Sequence, residues 1–119
     1  MTDSDPSCLF CRIVSGEIPA DRVYEDDDVV GFRDVAPRAP THVLVIPRRH
    51  VSDVHALADA DADVLLLARC FAALRHVADA ERLAGGYRIV TNSGPDSGQT
   101  VPHLHFHLLG GRPMSWPPG

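Results

Sequence analysis

The segment His103-Leu104-His105-Phe106-His107-Leu108-Leu109 carries imidazoles at alternate positions. A neutral imidazole can serve as metal ligand, general base or nucleophile near neutral pH. Because side chains alternate faces along a strand, a strand here puts His103, His105 and His107 on one side, about 6.7 Å apart at successive Cα atoms. Leu104, Phe106 and Leu108 then face a core. Alone, the row fits three readings: exposed histidines on a half-buried strand, a zinc site built on His-x-His, or catalysis. Directly upstream, Asn92-Ser93-Gly94-Pro95-Asp96-Ser97-Gly98-Gln99-Thr100 is longer than a hairpin turn needs. Its small residues let backbone N–H groups approach an anion, with a merely flexible loop as the alternative. An anion cradle beside an imidazole row favours phosphoryl chemistry, in which neutral histidine attacks phosphorus and N–H donors hold the charge.

Cys8 and Cys11 form a Cys-x-x-Cys pair, and Cys70 lies in an apolar helical stretch where it reads as core. Three cysteines are too few, and odd in number, for a disulfide framework. In a reducing compartment the pair suggests metal or redox chemistry, and the lack of a βαβ context around it disfavours a thioredoxin-like role.

The elements that position these residues are legible in outline. The chain has 119 residues, 45% of them hydrophobic and 23% charged, which suits one soluble domain. Eleven basic against sixteen acidic residues leave a net charge of −5, without the basic footprint of a nucleic-acid or anionic-membrane binder. The longest apolar run, Val64 to Ala68, is far short of the about 20 residues of a spanning helix, and the start lacks a signal-peptide pattern, so the expected location is cytoplasmic. Residues 1–7 read as a disordered tail, and residues 8–119 as one domain including a Pro/Gly-rich C-terminal tail over 110–119.

Apolar spacing predicts a short helix from Cys8 to Ser15, with Gly16 after it. Val23-Tyr24 and Val29 to Phe32 flank an acidic turn and read as a hairpin. Thr41 to Ile46 is nearly continuously apolar and β-branched, as a strand covered on both faces would be. One long helix is expected between Asp59 and Leu83, with Val64, Leu67, Ala68, Phe71, Leu74 and Ala78 as its buried stripe and Gly85-Gly86 as its stop. Tyr87 to Thr91 and Pro102 to Leu109 complete an α+β fold: a five-stranded, mainly antiparallel sheet with one long and one short helix.

His103 to Leu109 matches the His-x-His-x-His-x-x signature of the histidine triad superfamily, and the flanks resemble its Hint branch, the purine nucleoside phosphoramidate hydrolases. The likeness runs from Cys8 to Gly119 through Cys-Leu-Phe-Cys, Glu-Ile-Pro-Ala, Tyr-Glu-Asp-Asp, Ala-Pro-Thr-His-Val-Leu-Val-Ile-Pro, Gly-Gln-Thr and Gly-Gly-Arg-Pro-Met-Ser-Trp-Pro-Pro-Gly. It implies that a purine nucleoside 5′-phosphate bonded to an amine is cleaved at its P–N bond through a covalent nucleotidyl-histidine. His105 would be the nucleophile, with His107 on the α-phosphate and His103 and His42 supporting the imidazole network. Without the resemblance His42 is a core-strand histidine.

Asn92, Gly98, Gln99 and Thr100 match phosphate-contacting positions, with Thr100 standing where the family usually has Ser. Asp34 matches the ribose carboxylate, and Phe10, Ile13, Ile18, Phe32, Val35 and Leu44 match the apolar nucleoside pocket, though as residues they read equally well as core. Arg33 stands where relatives often carry His. Cys8, Cys11, His50 and His103 resemble a structural zinc set found in some bacterial members, which the chemical step would not require. The resemblance further implies a homodimer joining two five-stranded sheets, each C-terminus near the partner's site. Two other readings stay open: dinucleoside polyphosphate hydrolysis of the Fhit-like type, against which the Trp-Pro-Pro-Gly ending argues, and a non-catalytic zinc-bearing nucleotide sensor or scaffold.

Overall fold

The computed structural model describes residues 4–119. Residues 1–3 of the expected N-terminal tail lie outside the described residues. From Asp5 the chain forms a turn in which the Asp5 carboxylate accepts from the Ser7 amide and hydroxyl, and the Asp5 carbonyl accepts from the Cys8 amide. The first helix, α1 (Leu9–Val14), starts at Cys8, whose Sγ accepts the Cys11 N–H in place of the usual oxygen cap.

Five strands follow: β1 (Arg22–Glu25), β2 (Val29–Arg33), β3 (Thr41–Pro47), β4 (Tyr87–Val90) and β5 (Phe106–Gly110), with α2 (Asp61–Ala80) between β3 and β4. They form one sheet in the order β1-β2-β3-β5-β4, with every neighbouring pair antiparallel. The α+β expectation is met. Asp26 sets the β1–β2 turn, since its Oδ1 accepts the amides of both Asp28 and Val29 at 2.8 Å and its Oδ2 accepts the Tyr24 hydroxyl at 2.7 Å.

β3 is buried along its whole length because both faces are covered. Val43 and Val45 share one face with Val29, Phe106 and Leu108 under α2, while Leu44 and Ile46 share the other with Val30, Phe32, Phe10 and Ile13 under α1. Cys70 is fully buried in the α2 layer, as expected of a core residue.

Two expectations need correction. The buried stripe of α2 is Leu66, Cys70, Ala73, Leu74, Val77 and Ala78, whereas Val64 is 59% and Phe71 41% exposed. Apolar residues occupy two sides of this helix, so the i, i+3, i+4 pattern has two solutions and the sheet takes the one closed by Cys70. The helix also ends before the Gly pair: Arg82 enters the left-handed region at φ 59°, and the Leu83 amide turns back to the Ala78 carbonyl. The second correction concerns the histidine strand, which begins at Phe106 rather than Pro102. Upstream, the Leu104 amide donates to the Val51 carbonyl at 2.6 Å, and that pairing draws 101–105 away from the ladder.

Candidate active site

The alternation expected of the histidine row survives that shortening: Leu104, Phe106 and Leu108 enter the α2 core, while His105 and His107 face the α1 side beside Phe10. His105 is not a solvent-side residue. It is only 6% exposed, with its ring 5.2 Å edge-on from Phe10 and 5.1 Å from His107.

Hydrogen bonds settle which nitrogen of each ring carries the proton. His105 Nδ1 lies 2.7 Å from the His103 carbonyl, an acceptor only, so Nδ1 bears the proton and Nε2 keeps a free lone pair. His42 Nδ1 accepts the Arg38 amide at 3.0 Å, which places the His42 proton on Nε2, and that N–H meets His107 Nδ1 at 2.9 Å. The proton of His107 therefore sits on Nε2. Burial lowers the pKa of His42, and burial together with the neighbouring His105 and His42 lowers that of His107 to about 4. Both rings are neutral at pH 7, which makes the relay from the Arg38 amide through His42 to His107 directional.

Asp34 Oδ2 lies 3.5 Å from His42 Nε2, so Asp34, His42 and His107 also bring three potential ligand atoms together. A metal there would have to displace the His42 Nε2 proton while an amide N–H occupies Nδ1. The trio is a hydrogen-bond relay.

A cavity of about 750 Å³ opens in front of these rings, within the size range of small-molecule sites. Its wall includes Phe10, Ile13, Ile18, Phe32, Val35 and Leu44, with Asp21, Arg33, Asp34, Thr100, His105 and His107 as its polar groups. Register explains the grouping, because Phe32 pairs with Leu44 and Leu44 with His107, so the three stand in a row across β2, β3 and β5. Sequence reasoning did not place Leu9, Pro19, Ala20, Asp21 and Val101 on this wall. The Pro19 next to Ile18 was the available signal for its neighbours, since a residue that precedes proline is biased toward extended backbone.

Asn92, Gly98 and Gln99 are not on the wall. Asn92 Nδ2 donates to the Ser97 carbonyl, and Gln99 Nε2 donates to the carbonyls of Ser52 and Val101. The amides of Ser97, Gly98 and Gln99 all turn inward to Gly94 or Pro95 carbonyls, with Gly94 and Gly98 at φ 84° and 82°. The glycines serve a tight, self-bonded loop; its small residues do not aim those amides at an anion in this conformation.

His103 stands behind the site, fully buried, as part of a second cluster with Cys8, Cys11 and His50. Its Nε2–H donates to the Pro47 carbonyl at 2.8 Å, leaving the Nδ1 lone pair aimed at the cluster. Nδ1 of His103 is 3.3 Å from Cys8 Sγ, 3.5 Å from Cys11 Sγ and 3.3 Å from His50 Nδ1. Tetrahedral zinc with ordinary bond lengths requires N···S near about 3.6 Å and N···N near about 3.3 Å. The donor set fits such an ion in kind, number and spacing.

A short helix and a long one on an antiparallel five-stranded sheet, with His105 and His107 facing a largely apolar cavity, define the class of α+β protein to which the chain belongs. Residues 15–114 match the HIT domain family, and the chain belongs to it. It is 43% identical over 118 residues to adenylylsulfatase HINT1 of Arabidopsis thaliana, covering 99% of this chain and 80% of that one. It is 46% identical over 117 residues to a 14 kDa zinc-binding protein of Zea mays, covering 97% and 90% respectively. Among solved structures, a HIT family hydrolase from Legionella pneumophila superposes with a TM-score of 0.90 at 48% identity, over 95% of this chain and all of that one.

Proposed function

We propose that the protein is a nucleotide hydrolase that cleaves the P–N bond of purine nucleoside 5′-phosphoramidates through a covalent intermediate on His105. The observation that carries this reading is the Nδ1–H of His105 held by the His103 carbonyl, which leaves Nε2 free as a nucleophile on the wall of a largely apolar cavity. Nε2 attacks phosphorus, the P–N bond breaks, and the amine leaves with a proton, for which Thr100 on the cavity wall is the proposed donor. Water then attacks phosphorus, its oxygen bonding there while one of its protons passes back to Thr100, and the phosphorus–imidazole bond breaks to release the nucleoside monophosphate and restore His105. His107 Nε2–H holds a phosphate oxygen as charge builds, with its tautomer set by His42. Asp34 takes the ribose hydroxyls, and Phe10, Ile13, Ile18, Phe32, Val35 and Leu44 take the base.

Turnover of adenosine phosphoramidate, run beside diadenosine polyphosphates, tests the reaction. His105→Ala is expected to lose on the order of 10⁴-fold or more in kcat. Acid-quenched wild-type protein is expected to carry a nucleotidyl adduct. A normal rate in His105→Ala, or no adduct under any turnover condition, would overturn the covalent route.

The likeness to adenylylsulfatase HINT1 favours a second substrate for the same site, a nucleotide in which sulfate replaces the amine. The phosphorus centre and the nucleophile are unchanged, so relative kcat/KM for the two leaving groups decides between them.

Zinc is the proposed occupant of the Cys8, Cys11, His50 and His103 cluster, supported by its tetrahedral spacing and the zinc-binding maize relative. When bound it supplies a closed structural crosslink. The proposed location is cytoplasmic and the proposed assembly a homodimer. Support for the dimer comes from α2, on which Val64, Leu65 and Phe71 are large apolar residues left exposed, and from β4, an open edge strand of the sheet.

A further inference from the structure

His103 belongs both to the Cys/His cluster and to the segment that carries His105. Its Nδ1 faces Cys8, Cys11 and His50, its Nε2–H is fixed on the Pro47 carbonyl, and its own carbonyl holds the His105 ring. The strand ladder does not do this work, because β5 begins one residue after His105. Phe10 adds a second link. It lies between the two cysteines on α1, and its ring is edge-on to His105 at 5.2 Å and to His103 at 6.0 Å. An isolated helix as short as α1 is unstable by itself, so its place depends on what anchors it. The four ligand atoms come from three separate pieces of chain: α1, the segment after β3, and the residues preceding β5. Those same pieces supply the groups that orient His105.

We propose that a metal ion held by Cys8, Cys11, His50 and His103 positions the nucleophile: by locking the His103 carbonyl and Phe10, it keeps His105 in the Nδ1–H form with Nε2 open to substrate. The cluster's side chains are positioning residues that never touch the nucleotide. The proposal rests on His105 being the attacking group, yet its consequences for the His105 ring and for nucleotide affinity can be read without any turnover. A site that only stabilises the fold would leave both unchanged in protein that remains folded.

His50 is the ligand to remove, since it is half-buried and lies outside both core clusters. In His50→Ala loaded with zinc and still folded by circular dichroism, the His105 Nδ1–H resonance is expected to broaden or vanish in ¹H–¹⁵N spectra, and the Kd for AMP to rise about tenfold or more. His50→Cys keeps four N/S ligands and should restore both. An unchanged His105 resonance together with an unchanged Kd would overturn the proposal.

If His50→Ala does not fold, cadmium replacing zinc in the wild-type protein provides the second measurement. Its longer bonds should shift the His105 ring signals, while those of His76, stacked on Tyr24 at 6.1 Å on the other face, stay in place. His105 signals that move no more than those of His76 would equally refute it. Ring signals and Kd that follow the metal in a protein without phosphoramidase activity would reject the reaction and retain the positioning role.

Discussion

At the scale of single residues, chemistry is decided by which ring nitrogen holds a proton. Three partners decide it here: the His103 carbonyl for His105, the Arg38 amide for His42, and His42 itself for His107. None is readable from residue types, because two of the three are backbone groups brought in by folding. The histidine row was legible, and so was its division into an apolar face and an imidazole face. His42 was legible only through family likeness, since by type and place it is a buried strand residue. A pH dependence follows from His107, which is pushed down to about 4 by burial and by the nearby His105 and His42, against an ordinary value of 6.5. Between those values the unfolded chain binds a proton that the folded one does not, so stability present above pH 6.5 is lost as pH falls toward 4. Urea midpoints at pH 7 and pH 5 check this: the wild type should lose more stability than His107→Gln. His103, also lowered to about 4 by burial, remains in both proteins, so equal losses would remove His107 as the cause.

Among elements, those fixed by local rules were read correctly and those fixed by competition were not. The β1–β2 hairpin is local: Asp26 accepts two backbone amides and the Tyr24 hydroxyl, and an acidic turn between two apolar runs announces it. Asp26→Ala should therefore cost roughly 1–3 kcal/mol by orphaning these donors, measured by chemical denaturation, with nucleotide affinity unchanged because the turn lies apart from the cavity wall. The start of β5 is set by competition, since Val51 captures the Leu104 amide and ends the ladder where alternation alone would extend it. The buried side of α2 is competitive too. Two apolar stripes share one helix, and only the sheet beneath selects between them. The Gly/Ser-rich loop shows the same limit, because small residues announce a tight backbone without stating whether its amides face outward or, as here, bond to the loop itself.

For the whole molecule, the side of α2 that the sheet leaves uncovered becomes the informative one. Val64 and Phe71 remain exposed on it, while the C-terminal tail carries Trp116, 84% exposed. The tail is not loose at its base: an Arg88 guanidinium nitrogen donates to the Ser115 carbonyl, and Arg112 Nη2 donates to the Arg38 carbonyl at 3.0 Å. That second bond joins the tail to the residue whose amide sets the His42 tautomer. Large apolar groups held in place but uncovered are what a second copy of the chain would bury, with α2 and the free β4 edge forming a two-fold contact. Sedimentation at micromolar concentration should then give about twice the 12.9 kDa chain mass, and Phe71→Glu, which places a charge in that contact, should give the monomer. Phe71 also meets Phe106 edge-on at 5.2 Å, so the variant must be shown to keep its fold before its mass is read. Deleting Met114 to Gly119 separates assembly from selectivity. The deletion spares His105 and the cavity wall, so adduct formation should persist, whereas KM and the preference among amines should change if the tail borders a leaving-group site. A wild-type protein that sediments at the chain mass would remove the dimer, and a truncated one with unaltered kinetics across several amines would remove the tail from substrate choice.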